Sequence, residues 1–169
     1  MHWSLPILHT VAALSVLGCS PGATPIEPLL VDESIGALDI RSPDGKVIVA
    51  ADEIRHYDWT THSMTWSPGV KKRLFSDRTK ELIEGSPFAV CVGGRSIYTG
   101  KFVSSFSSHS VDAVVIRDFS WENERDPIPD DVARLELGYP SAEHFKGQDL
   151  RAHPEIRKAV EAAGKLTND

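Results

Sequence analysis

The stretch 87-PFAVCVGGRSIYTGKFVSSF-106 contains two apolar runs separated by a pair of glycines. In the first run, large apolar residues alternate with smaller ones, which is the two-residue period of a β-strand with one buried face. Adjacent glycines favour the two-residue turn of a β-hairpin, because both of its central positions need positive φ. We therefore predict a hairpin that turns at Gly93 and Gly94, and we expect it at the centre of the sheet.

Further strands and helices follow from local patterns in the rest of the chain. Ser67 followed by Pro68 is typical of a helix start, since proline lacks an N–H that the first turn leaves unbonded anyway. Near the C-terminus, Pro154 begins a run with apolar residues at helical spacing, and Gly164 ends it. The predicted strands are 36–42 and 46–51 around a PDG turn, 62–67, 111–118, and 132–138 as one strand.

These elements predict an α+β fold, a single small domain with an antiparallel sheet and two or more helices packed on it. We place this domain at residues 29–166 of a chain of 169 residues. Its predicted core combines inward-facing strand residues with the apolar face of the C-terminal helix. The core residues are Val90, Val92, Ile97, Phe102, Val114, Ile116, Leu135, Ile156 and Val160.

The charge balance argues against a nucleic-acid partner. Asp and Glu number 24 against 18 Lys and Arg, and the formal net charge is −6. A phosphate-binding surface needs a basic patch. The one dense basic run is 71-KKR-73, and three adjacent cations are typical of a solvated helix face.

The N-terminal stretch 5-LPILHTVAALSVL-17 is apolar, but it is too short for a bilayer span of about 20 apolar residues. Its length is that of the apolar region of a signal peptide. Small Gly18 precedes Cys19, Val16 lies three residues before it, and the Pro-rich segment 20–28 follows. This arrangement resembles the lipobox of bacterial lipoprotein precursors.

The resemblance implies that the Cys19 thiol receives a diacylglycerol, that a signal peptidase cuts before it, and that the freed amine is usually acylated. It assigns residues 1–18 to a signal peptide and 19–28 to a lipid-anchored flexible linker. Several acyl chains make a stable anchor, so the domain is expected outside the cytoplasm on a bacterial membrane. Ser20 in place of aspartate resembles the signal for the periplasmic side of the outer membrane in Gram-negative lipoproteins. The alternatives are an ordinary secretory signal, or an apolar N-terminal helix of the domain.

The second cysteine fits the same interpretation. The chain has two cysteines, and if Cys19 carries lipid then Cys91 has no disulfide partner. Cys91 lies in an apolar strand-like run, and free cysteine is among the most buried residue types. We expect its thiol in the core rather than in a reactive site.

Two segments concentrate side chains that are capable of chemistry. The segment 51-ADEIRHYDWTTH-62 gathers acidic residues with His56 and His62, but it matches neither the HExxH zinc pattern nor a calcium loop. The segment 104-SSFSSHS-110 surrounds His109 with serines, yet it has no GxSxG elbow to present a nucleophile. We expect no catalytic residue, no metal and no cofactor, and the alternative is a small hydrolase or metal-dependent enzyme using one of these histidines.

The preferred function is a non-catalytic binding or interaction module of the cell envelope, whose partners are the membrane and an envelope protein. The predicted contact surface lies on the hairpin and consists of Arg95, Tyr98, Lys101 and Phe102, a mixture of cations and aromatics that is enriched at protein interfaces. Gly100 would let a partner backbone approach, or else mark a bulge. The serine-rich end of the strand, with its hydroxyls beside Phe102 and Phe106, would suit a ligand-contacting rim.

The order of elements over residues 46–118 offers a second resemblance. A strand, a "DEI" turn, a strand, the "PGVKKRL" helix, the "GSPFAVCVGGRSIYTGKF" hairpin and a further strand follow one another. This order is loosely similar to the first periplasmic domain of the SecD family of protein-export subunits. The resemblance implies a small α+β sandwich, and fold similarity does not transfer function.

Overall fold

The computed structural model describes residues 35–76, 79–118 and 129–167, all of which lie in one compact unit of the chain. The strands are β1 (Leu38–Arg41), β2 (Val47–Val49), β3 (Ile54–Asp58), β4 (Ser63–Trp66), β5 (Ser86–Val92), β6 (Arg95–Val103), β7 (Val111–Arg117), β8 (Val132–Arg134), β9 (Glu136–Tyr139) and β10 (Leu166–Thr167). The helices are α1 (Val70–Phe75), α2 (Thr79–Glu84) and α3 (Pro154–Ala162), with 3-10 turns at Ala51–Glu53 and Ala142–His144.

The predicted hairpin is present as β5 and β6, which occupy the middle of a six-stranded sheet in the order β2-β1-β5-β6-β7-β9. Gly93 and Gly94 have φ of 59° and 79°. Positive φ at both central positions is the two-residue hairpin turn that the glycine pair favours. The prediction of a central glycine-turn hairpin is therefore confirmed.

The α+β prediction is met only in part, because the chain is mostly sheet and the sheet is neither single nor antiparallel. Strands β6 and β7 run parallel, with Gly100 opposite Val114 and Val103 opposite Arg117. A second sheet has the order β10-β3-β4-β8, in which β10 runs parallel to β3. Both sheets are thus mixed.

Residues 132–138 form two strands rather than the predicted one. Leu135 separates β8, in the four-stranded sheet, from β9, in the six-stranded sheet. Its side chain is buried in the main apolar cluster. Residues 132–134 and 136–138 lie in strands, as the alternation of apolar and polar residues predicts, but the chain passes from one sheet to the other at Leu135.

One apolar cluster takes side chains from both sheets and from all three helices. Trp66 and Tyr57 from the four-stranded sheet meet Phe88 and Phe102 from the six-stranded sheet there, and the two phenylalanine rings lie 4.7 Å apart. Of the nine predicted core residues, Ile97 is half-buried. The other eight are buried: Val90, Val92, Phe102, Val114, Ile116, Leu135, Ile156 and Val160.

The helices begin and end for identifiable reasons. Helix α1 begins at Val70, two residues later than predicted, because Gly69 takes positive φ at the cap position where Ser67 was expected. Helix α3 has Pro154 in its first turn, and its cap residue His153 accepts from the backbone N–H of Glu155. No helix among the described ranges is long and apolar enough to cross a membrane.

Gly100 serves packing rather than a partner's approach. A Cβ at this position would lie 2.4 Å from the ring of Phe88 and 2.5 Å from the carbonyl oxygen of Val114. Such distances leave no room for any side chain. The glycine lets the aromatic ring of β5 lie flat across β6.

The buried position of Val114 generates a stability test. Val114 is 3% exposed and lies on the cluster side of β7. Val114→Asp buries a carboxylate without a partner, and we expect it to remove most of the roughly 5–15 kcal/mol that stabilises a typical domain. Thermal unfolding followed by circular dichroism should show no cooperative transition.

The matched control is Val47→Asp, since Val47 is 41% exposed on the edge strand β2. This variant should melt close to the unmodified protein. A soluble Val114→Asp protein that melts cooperatively would contradict the assigned core.

Candidate functional site

The segment 104-SSFSSHS-110, here called the serine loop, joins two neighbouring parallel strands. Val103 at the end of β6 pairs with Arg117, whereas β7 begins at Val111. The chain must therefore return along six residues of strand, about 20 Å at 3.3 Å per residue. Parallel neighbours usually have a connection of about a dozen residues or more, so this seven-residue link has little slack.

A turn at the start of the serine loop uses part of its length. The Ser107 N–H donates to the Ser104 carbonyl over 2.9 Å, and the Phe106 N–H donates to the Ser104 hydroxyl over 3.3 Å. Asp118 accepts from the Ser105 N–H over 2.8 Å. The remaining residues, which bend at His109, must still cover most of the distance to β7, so the loop has little length to spare.

The side chain of Tyr139, at the end of β9, contacts the backbone of the serine loop. Its hydroxyl lies 3.0 Å from the carbonyl oxygens of both Ser105 and Ser107. These two carbonyls flank Phe106 on either side. The single O–H of Tyr139 is shared between these two carbonyls, so one buried phenol holds the backbone on either side of Phe106.

The serine loop covers a second apolar cluster on the outer face of the six-stranded sheet. This cluster consists of Val103, Val111, Val115 and Tyr139. The hydroxyl-bearing residues Ser104 and Ser107 are themselves buried. The loop thus buries two of its five serines, whereas Ser108 and Ser110 are exposed.

Phe106 is turned outward and is 69% exposed. Within the described ranges, only Phe106 and Val47 are large hydrophobic residues with exposed side chains. Burying a phenylalanine is worth about 1.5–3 kcal/mol. A fixed backbone lets a partner gain that energy without first ordering the loop.

The four residues of the predicted contact surface do not share a face. Tyr98 is 7% exposed and Phe102 is 1% exposed, and both lie in the main apolar cluster. Arg95 is exposed and forms an ion pair with Glu155 of α3, whereas Lys101 is half-buried. The prediction that Tyr98 and Phe102 contact a partner is therefore wrong. Successive side chains of a strand point to opposite faces of the sheet, and these two lie on the face that packs on the core. Contacts by Arg95 and Lys101 stay a prediction.

The three candidate histidines have separate surroundings. His56 is exposed on β3, His109 is exposed in the serine loop, and His62 lies in the turn between β3 and β4. The described residues contain no group of three or more His, Cys, Asp or Glu that could hold a metal ion.

His62 belongs to an aromatic cluster rather than to a catalytic one. Its ring packs edge-on against Tyr57 and Trp59, with centroids 6.5 and 6.0 Å apart. Burial, and then the nearby Arg151 guanidinium, lower the pKa of His62. Burial raises the pKa of Tyr57, whose hydroxyl donates to the Arg151 carbonyl. At neutral pH both groups are uncharged, which suits packing.

The cysteine predictions divide between described and undescribed residues. Cys91 is free and buried, and burial raises the pKa of its thiol, as expected of a core cysteine. Cys19, the predicted signal peptide and the linker lie outside the described residues. Lipidation at Cys19 therefore stays a prediction.

Two residues of this site carried no signal in the sequence. Tyr139 and Asp118 approach the serine loop from 34 and 13 residues away along the chain. Only the parallel pairing of β6 and β7, together with β9 beside them, brings these side chains to it.

No protein-family model, no curated protein and no solved structure matches this chain. The resemblance of residues 46–118 to the SecD domain stays a prediction.

The length of the serine loop generates a second test. Ser108 is exposed, so its side chain is dispensable, but its backbone is needed to reach β7. Deleting Ser108 should cost at least about 3 kcal/mol, because the turn, the Tyr139 contacts and the cover over the second cluster cannot all be kept. Chemical denaturation measures this loss.

The control adds a glycine after Ser108 instead. One extra loop residue should cost less than about 1 kcal/mol, since closure entropy grows slowly with length. A deletion variant as stable as the unmodified protein would show that the loop is not taut.

Proposed function

We propose that this protein is an extracytoplasmic lipoprotein, held to a bacterial membrane by lipid on Cys19, whose domain is a non-catalytic binding module of the cell envelope. The resemblance of residues 16–19 to a lipobox supports the anchor, and the outward position of Phe106 on a loop held by Tyr139 supports the binding module. The proposed contact is the serine loop, in place of the hairpin face expected from the sequence.

The composition of the serine loop favours an uncharged contact. Its seven residues include no Asp, Glu, Lys or Arg, in a chain with a formal charge of −6. Ser108, His109 and Ser110 are exposed around the aromatic ring. An aromatic anchor with a polar rim is the usual arrangement of an interface hot spot.

Rigidity also favours binding over catalysis at this loop. Nucleophilic catalysis needs a base that faces a serine hydroxyl. The Ser104 hydroxyl accepts from the Phe106 N–H and donates to the Asp118 carboxylate over 3.3 Å, and the Ser107 hydroxyl accepts from the His109 N–H. These bonds hold both buried serines in place, and Asp118 also accepts from the Ser105 N–H, as a structural contact of the loop does. A hydrolase or metal-dependent enzyme using His56, His62 or His109 is not carried forward, because no contact among the described residues favours it.

The anchor is tested by metabolic labelling with a fatty acid. The unmodified protein should take up label and fractionate with membranes, because acyl chains contribute about 0.8 kcal/mol per buried methylene. Cys19→Ala should lose the label, whereas Cys91→Ala, the matched control, should keep it. Equal absence of label in the unmodified protein and in Cys19→Ala would end the lipoprotein proposal.

The binding surface is tested by photocrosslinking in the cells that make the protein. A photoreactive phenylalanine analogue at position 106 should give a discrete crosslinked species, because the side chain there meets the partner. The same analogue at position 47 should give none, although Val47 is also exposed. Matching species from both positions, or none from position 106, would place the contact elsewhere.

A further inference from the structure

A groove of about 350 Å³ opens where the chain passes from β8 to β9. It is lined by residues 134–138 together with Thr61, Pro140, Ser141, Ala142 and Arg151. It is separate from the serine loop and has a different chemistry, because two arginines line it. We call it the arginine groove.

Arg151 is held rigidly at the wall of the groove. Its Nε and Nη2 donate to the two carboxylate oxygens of Asp149 over 2.9 and 2.7 Å, and its Nη1 donates to the Leu135 carbonyl over 2.7 Å. A guanidinium has five N–H donors. Three are used in these bonds, which leaves one N–H on each terminal nitrogen. The Arg151 side chain is 15% exposed, and a guanidinium that presents two such N–H groups side by side donates to both oxygens of a carboxylate.

The second arginine supplies uncompensated charge. Arg134 is exposed, and the described residues show no ion pair for it. Glu136, also in the groove, pairs with Arg117 over 2.7 Å, and Asp149 neutralises Arg151. The groove therefore keeps one surplus positive charge in an acidic protein.

The backbone of Arg134 faces away from the rest of its sheet. The Leu135 N–H donates to His62 and the Asp131 carbonyl accepts from Trp66, so alternate residues of this segment bond to β4. Arg134 lies next to Leu135 in the chain and opposite Ser63, so it belongs to a pair that is not hydrogen-bonded across the two strands. In an antiparallel pair such a residue points its N–H and C=O outward, where an amide group of a ligand can meet them.

We infer that the arginine groove binds the carboxylate of a small ligand or of a peptide C-terminus. In this proposal Arg151 receives both oxygens and Arg134 adds charge. A volume of about 350 Å³ is at the small end of ligand sites and suits one or two amino-acid units. This inference is independent of the proposed contact at Phe106. The two surfaces share no residue, so each can be tested by its own substitutions.

The test is a titration followed by backbone amide shifts in an NMR spectrum of the ¹⁵N-labelled domain. The probes are N-acetyl-Ala-Ala as the free acid, its C-terminal amide, succinate and inorganic phosphate. We expect the free acid to shift the amides of residues 134–138 and the C-terminal amide to leave them unmoved. Stronger binding of the dipeptide than of succinate would identify a peptide C-terminus, and the reverse would identify a free carboxylate.

Variants separate charge from geometry. Arg134→Gln should weaken binding about tenfold without changing the fold, because Arg134 is exposed and charge-assisted bonds are roughly twice as strong as neutral ones. Arg151→Lys keeps the charge but loses the fork, and should abolish the preference for carboxylate over phosphate. Arg55→Gln, an exposed arginine on β3, is the control and should bind normally.

Three results would overturn the inference. One is equal shifts with the acid and its amide. Another is phosphate binding as tightly as the carboxylate probes to the unmodified protein. The third is unchanged affinity in Arg134→Gln, whose melting curve shows that it is folded.

Discussion

The structure depends on one constraint, the seven residues that must join Val103 to Val111 although β6 and β7 run parallel. A link this short cannot leave the sheet and return, so it lies on the outer face. It therefore covers a second apolar cluster there, and its Ser104 and Ser107 are buried. Phe106 cannot follow them, because the carbonyls on either side of it are held by Tyr139. The exposed aromatic ring is a consequence of how the strands are connected.

Strand β9 serves two surfaces at once. Tyr139 at its end holds the serine loop, and Leu137 and Gly138 line the arginine groove. The chain enters β9 directly from β8 through the buried Leu135, so the strand is fixed at both ends by core contacts. Residues placed on such rigid elements are better suited to binding than residues on free loops. The serine loop presents an uncharged aromatic side chain, and the arginine groove is lined by two arginines.

The features that the sequence predicted are those with a local physical cause. The glycine pair at 93 and 94 predicted its turn because positive φ is a property of two residues. Val114 followed from a continuous apolar run, which predicts a strand buried on both faces, and Ile156 followed from the helix period. The direction of β7 did not follow, because short links usually join antiparallel strands. The burial of Tyr98 and Phe102 could have been predicted, because strand alternation places them on the same face as Gly100. In the structure Gly100 packs against the ring of Phe88. Alternation alone separates them from Lys101.

The most direct test of this account is the ¹⁵N order parameter of the Phe106 amide, measured in the unmodified protein and in Tyr139→Phe. We predict a value of about 0.85, that of rigid backbone, in the unmodified protein. In Tyr139→Phe, which loses only the hydroxyl that holds the loop, we predict a fall toward the values of flexible segments, below about 0.6. A Phe106 amide that is already flexible in the unmodified protein, or one that stays rigid without the hydroxyl, would contradict the claim that Tyr139 holds this aromatic residue outward.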